Sequence, residues 1–204
     1  MSNKYQKYLR VLLAFSALFF LGQTIQAQTS PANAEEYTGS IISFNGPRTR
    51  TAFFTLRINR QTSTEQARRF LITLREDGQD RLLSAIGNED LGSFSVGNGL
   101  ARTVNVVRET QVDGRRRIFV VFERWTQFAE ARGGYRSLDY PFGVVELFID
   151  EKTGKGEGTY IAAARISWDE DGETNQGRVE IENFGTYPAK LTAVSRSGRQ
   201  QRRP

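Results

Sequence analysis

Apolar and polar residues alternate with a period of two along most of this chain, the pattern of strands with one buried face and one wet face. In Ala52–Ile58, Phe54, Leu56 and Ile58 fall on one side and Thr55 and Arg57 on the other. Tyr37–Phe44 precedes it across a turn at Gly46-Pro47. Thr103–Val112 and Arg115–Phe122 flank Asp113-Gly114, a dipeptide that accepts the positive φ angles of a two-residue hairpin turn. The run Ile118-Phe119-Val120-Val121-Phe122 is apolar on both faces, which predicts a central strand covered from both sides. Phe142–Ile149 and Gly158–Trp168 flank a turn rich in Lys and Gly, and Gly177–Asn183 and Ala189–Val194 close the series. Shorter strands are expected at Leu91–Val96 and Phe128–Ala131. About ten strands joined by short turns predict a mainly β fold, an antiparallel sandwich or barrel.

One stretch changes period. Ala67, Phe70, Leu71 and Leu74 recur at i, i+3, i+4 and i+7, one face of a helix, with Arg68, Arg69 and Arg75 outside it. Thr62, Ser63 and Thr64 offer caps, and Thr62 with Glu65 has capping-box spacing. Gly78 is placed to end this helix. A second short helix carries Leu82, Leu83 and Ile86 and ends at Gly87. The expectation is a short αα-hairpin laid against the sheet.

The N-terminal stretch does not fit the strand pattern at all. Lys4, Lys7 and Arg10 precede eleven unbroken apolar or small residues, Val11–Leu21, then a short polar segment and Ala27. That is the layout of a secretory signal peptide. The rival is a membrane anchor, but at about 1.5 Å per residue the run covers only about half of a hydrocarbon core of roughly 30 Å. The chain therefore divides into a signal peptide (1–27), a polar linker (28–36), a single β domain (37–194) and a disordered basic tail (195–204). A periplasmic or extracellular address follows, with no transmembrane span after processing.

Composition narrows the chemistry. The chain has no cysteine and no histidine. An exported domain of this kind must be held by its core, without disulfides. Ser-His-Asp and Cys-His catalysis and the usual zinc sites are excluded. Of the 28 basic residues, three lie in the leader and four in the tail, leaving 21 against 23 acidic residues in the body. The folded part is thus close to neutral, and no nucleic-acid partner is expected.

Carboxylate chemistry stays open. Glu123, Glu130, Asp139, Glu146, Glu180 and Glu182 lie on or beside predicted strands, and glycoside hydrolysis needs two acids converging across a cleft. Glu180 and Glu182 share a face, which simple alternation with Val179 and Ile181 also explains. Asp169, Asp171 and Glu173 place oxygens at alternate positions, a weak Ca²⁺ candidate. The full calcium-loop pattern is missing, and Asp-Gly suits an ordinary hairpin turn. No cofactor is expected. The most distinctive segment is 128–143, which combines aromatics, arginines, an acid and Pro141. Arg132, Tyr135, Arg136, Asp139 and Tyr140 are its candidate binding residues, because Tyr and Arg are favoured where surfaces recognise partners. The plainer alternative is a structural corner in which Tyr140 covers a core edge and Pro141 opens the next strand.

The segments DYPFGVVEL (139–147), GKGEGTYIAAARI (154–166) and VEIENFG (179–185), with GSIISFNGPRT (39–49), resemble a set of uncharacterised exported bacterial proteins. The resemblance implies a whole exported domain and carries no activity and no catalytic residues. Three functions fit these readings: a non-catalytic binding or interaction module of the cell envelope, meeting an envelope component or a protein; a lipocalin-like carrier of an apolar ligand; and a carboxylate-dependent glycan hydrolase.

Overall fold

The alternating segments pair as one antiparallel sheet. Its strands are β1 (Glu35–Asn45), β2 (Arg48–Ile58), β3 (Gly92–Val96), β4 (Arg102–Val104), β5 (Val106–Val112), β6 (Arg115–Glu123), β7 (Phe142–Ile149), β8 (Lys155–Glu170), β9 (Gly177–Asn183) and β10 (Ala189–Arg196). One helix, α1 (Thr64–Ile86), joins β2 to β3, and a 3₁₀ turn, Arg136–Asp139, precedes β7. This computed structural model describes residues 34–45, 48–124, 136–170, 177–185 and 187–197. The Gly46-Pro47 turn, the expected strand at Phe128–Ala131 and the leader lie outside them.

The strand order is β4-β3-β2-β1-β10-β8-β7-β6-β5, with β9 paired to β8. The hydrogen-bonded ladder stops at β4 and β5, so the sheet is open rather than a closed barrel. These two end strands are consecutive in the chain and separated only by Asn105. Val104 and Val107 both join the inner core, whereas Val106 faces the other way. Asn105 therefore supplies the extra residue that bends one continuous stretch from β3 to β6. It is buried, and its polar atoms are all used. Its N–H donates to the Val121 carbonyl at 3.0 Å, its Nδ2 to the Glu89 carbonyl at 2.9 Å, and its Oδ1 accepts from the Glu123 N–H at 3.1 Å.

The inner face forms a single cluster drawn from nearly every strand, among them Tyr37, Ile41, Leu56, Ile118, Val120, Val145, Leu147 and Leu191. Four rings fill its middle. Phe94 lies 6.0 Å from Phe54, 5.3 Å from Phe122 and 5.1 Å from Tyr160, centroid to centroid. Gly143, paired with Phe122 across β6 and β7, leaves room for that ring, since a Cβ there would sit 2.3 Å from it. The outer face of β6–β9 forms a second cluster under α1: Leu74, Leu82 and Ile86 meet Val121, Phe142, Val144, Ile161 and Ile166. The doubly apolar run 118–122 is thus covered on both sides: Ile118, Val120 and Phe122 point inward and Phe119 and Val121 outward.

Asp113 and Gly114 adopt φ of 51° and 73°, the conformation that their side chains permit in a tight β5–β6 turn. The helix departs from expectation in two respects. The N-cap is Ser63, with a capping box to Gln66, and not Thr62 with Glu65. Thr62 is instead drawn into a ladder with β5: its N–H donates to the Val107 carbonyl, and its Oγ1 accepts from the Val107 N–H, both at 2.9 Å. The αα-hairpin is not formed either. Residues 64–86 make one helix interrupted at Gly78, whose φ of 80° and ψ of −174° leave the helical path. Reversing the chain needs a loop of about 2–5 residues, and a lone glycine produces a kink instead. Phe70 and Leu74 face the sheet, but Leu71 is exposed.

The bend at Asn105 makes a direct prediction. Asn105→Ala leaves the Glu89 carbonyl and the Glu123 N–H without their partner, so it should cost about 1–3 kcal/mol in urea unfolding. Thr103→Ala, at an exposed site two residues away, should stay within about 0.5 kcal/mol. Equal effects would show that the polar contacts of Asn105 do not hold the bend.

Candidate functional site

The segment singled out by its aromatics and arginines forms a braced corner where the structure describes it. Arg124, just beyond β6, donates through Nε to the Tyr140 carbonyl and through Nη2 to the Ser137 carbonyl at 2.6 Å. Its backbone N–H reaches the Pro141 carbonyl at 2.9 Å. From the helix side, just past the Gly78 kink, Gln79 donates to the Asp139 carbonyl at 3.0 Å. Three carbonyls of a non-repetitive stretch are thus satisfied by side chains from two other elements, which holds the corner in one shape.

Asp139 is exposed, and Tyr140 is 6% exposed. The Tyr140 hydroxyl donates to Glu182 of β9 at 2.8 Å, and its ring meets Phe184 edge-on at 5.1 Å. Tyr140 therefore covers a core edge and supports its neighbour from below. Arg132 and Tyr135 lie outside the described residues, and of Arg136 only the backbone is described. What the linear reading missed is the second half of the corner, the connection from β9 to β10. These two strands lie end to end along one edge of β8, β9 on 164–170 and β10 on 155–160. The connection carries Phe184 and Tyr187, 49% and 58% exposed. Asn183 and Gly185 close it with two hydrogen bonds of 2.9 and 3.2 Å. The signal was present in VEIENFGTYP, where aromatics flank Gly185 just after an alternating strand.

Several carboxylates are engaged elsewhere. Glu35, Tyr37, Glu109, Arg116 and Arg196 make one polar knot at the edge of β1, β5, β6 and β10. Arg116 donates to Glu35 at 2.7 Å, to the Tyr37 hydroxyl at 2.8 Å and to Glu109, while Arg196 reaches Glu35 at 2.6 Å. This pairing extends the folded strands to Glu35 and Arg196, past the 37–194 bounds expected from hydropathy, and places Ser195 and Arg196 in β10 rather than in the tail. Burial alone would raise the Glu35 carboxyl. The hydrogen bonds from Arg116 and Tyr37 and the charges of Arg116 and Arg196 outweigh it and hold Glu35 below its ordinary value. Burial and the bond to Glu35 push Tyr37 upward. Burial would lower Arg116, but its bonds to Glu109 and Glu35 reverse this and keep the guanidinium charged.

A lowered carboxyl is the opposite of what a general acid needs at neutral pH. Glu146 is buried and takes a 2.6 Å bond from Arg117. Glu182 accepts from Tyr140, and Val179 and Ile181 alternate with Glu180 and Glu182 toward the cluster under α1. Glu130 lies outside the described residues. Of the calcium candidate, Asp169 pairs with Arg178 across the β8–β9 ladder at 2.6 Å, while Asp171 and Glu173 lie outside the described residues. Among the described residues no three acids gather as metal ligands, and no helix is long and apolar enough to cross a membrane.

No protein-family model matches the chain, and no curated protein or solved structure matches it significantly.

The knot gives a pH dependence of definite sign. A carboxyl held below its ordinary value of 4.5 contributes stability above that pH and loses it as pH falls through the lowered value. Glu35→Gln should therefore be less stable than the natural chain at neutral pH. The gap in urea midpoint should narrow below pH 4.5 and close in stronger acid. A gap independent of pH would refute the assignment.

Proposed function

We propose that this chain is an exported, non-catalytic binding module of the bacterial cell envelope, and that it meets its partner through the corner of Asp139, Phe184 and Tyr187. The observation that carries the reading is the exposure of Phe184 and Tyr187 on a connection closed by Asn183 and Gly185, beside the 137–140 corner that Arg124 and Gln79 hold in place. Aromatic side chains offer large contact area with few rotors, and a braced loop loses little further freedom on binding. Asp139 adds an exposed charge at the rim. The interior supports this reading over a carrier, because Phe54, Phe94, Phe122 and Tyr160 occupy the space that an apolar ligand would need. The described acids support it over a hydrolase, since Glu35, Glu109, Glu146 and Asp169 are each tied to an arginine. The leader-like segment 1–27 supports export.

Two measurements test this. The purified protein should cosediment with peptidoglycan sacculi or with outer-membrane vesicles. Phe184→Ser with Tyr187→Ser should lower the bound fraction at least about tenfold, equivalent to about 1.4 kcal/mol. Undiminished binding by the double variant, or no binding of the natural chain to either probe, would overturn the assignment. Separately, the mass of the chain recovered from the periplasm or medium should correspond to a start at Gln28. A cytoplasmic chain that retains residues 1–27 would refute export.

A further inference from the structure

Among the described residues, none from β1, β2, β3 or β10 joins the cluster under α1, which covers only the outer face of the other half of the sheet. The register arranges the outer face of β1, β2, β3 and β10 in rows. Thr38 lies against Thr55, with Ser95 beyond it on β3, and Ser40 lies against Phe53, with Thr192 beyond it on β10. Among the described residues, charge on this face lies at its margins, in the Arg57–Glu36 pair at one end and Lys190 at the other. Between Leu191 and Val194, β10 carries one residue more than either neighbour, and Ala193 takes a φ of 50° there. Gly39 makes this bulge possible, since a Cβ at that position would lie 2.9 Å from the Thr192 carbonyl oxygen.

A shallow groove of about 400 Å³ lies beside the bulge, lined by Thr38, Ser40, Phe53, Thr55, the paired Gly39 and Phe54, and Ala193. Phe53 is 76% exposed, the most exposed large apolar side chain among the described residues. We propose that this groove binds a neutral glycan, with one pyranose ring stacked on Phe53 and its hydroxyls meeting those of Thr38, Ser40 and Thr55.

Three features select this class. Among the described residues no charged side chain lines the groove, so a phosphate, carboxylate or ammonium group would be desolvated without a counter-charge. None of the three hydroxyls has a hydrogen bond among the described residues, so all are available. An acyl chain would cover these hydroxyls and leave them unpaired, which costs free energy. A pyranose offers an apolar C–H face to the phenyl ring and hydroxyls at its edge, matching both kinds of wall. Exposure of a single phenylalanine is ordinary by itself; here it borders a groove with free hydroxyls and no charge. The groove is separate from the corner of Asp139, Phe184 and Tyr187, and each stands without the other.

The test is titration of the protein with maltotetraose, cellotetraose and chitotetraose, followed by backbone amide chemical shifts. At least one should give saturable shifts centred on 38–40, 53–55 and 192–193, with a dissociation constant of about 1 mM or tighter. Phe53→Ala should weaken it at least about tenfold, and Thr55→Val, which keeps the strand preference, at least about threefold, with unchanged unfolding midpoints. The proposal is overturned if none of the three sugars gives saturable shifts, if the shifts lie elsewhere, or if Phe53→Ala binds as tightly as the natural chain. It is equally overturned if a short-chain phosphatidylglycerol shifts these residues and the sugars do not.

Discussion

Everything in this molecule follows from one requirement: a single sheet must bury one entire face on itself, with no sulfur crosslink to help. Rolling is what meets it. Phe94 of β3 meets Phe122 of β6 and Tyr160 of β8, strands far from β3 in the sheet order, and these rings touch only because the sheet curls. Curling strains a regular ladder, so the extra residues at Asn105 and at Ala193 sit where the sheet must bend. The bulges are conditions of the core rather than flaws in it. The exposed groove at Ala193 is a by-product of the same bending.

The polar interior obeys the complementary constraint. A buried polar group without a partner costs about as much as several methylenes contribute. Asn105 and Thr62 accordingly satisfy backbone groups of neighbouring segments, and Glu146 takes a guanidinium from the adjacent strand. Arg116 gathers two carboxylates and a phenol where the first and last strands meet. Exposed aromatic side chains stand at Phe184 and Tyr187 on one side and at Phe53, beside hydroxyl-bearing neighbours, on another.

Strand positions were legible in the sequence because the period of two is local and each strand carries its own copy of the signal. Phe54, Leu56 and Ile58 inward with Thr55 and Arg57 outward needs only seven residues to read. The doubly covered β6 was equally legible, since no polar residue interrupts 118–122. The helix existed on paper too, but its continuity did not. Whether Gly78 stops a helix or kinks it depends on the sheet holding both halves, through Leu74 before it and Leu82 and Ile86 after it. Of the candidate site, only the half that includes Tyr140 was visible, and its role was open. Its neighbour Phe184 lies more than forty residues further on, and periodicity carries no information across that gap.

By itself, then, the amino-acid order determined the mainly β class, the Asp113-Gly114 turn, the faces of individual strands, and the exclusion of thiol and imidazole chemistry. These depend on neighbours within a few positions or on composition. The tertiary structure alone decided that the sheet is one open roll, that Asn105 bends it, that Glu35 and Arg196 are folded rather than loose, and that Tyr140 is a support for Phe184. Each of these rests on pairing between distant strands. Such pairing is selected by the free energy of the whole buried face, to which any single segment contributes too little to reveal its partner.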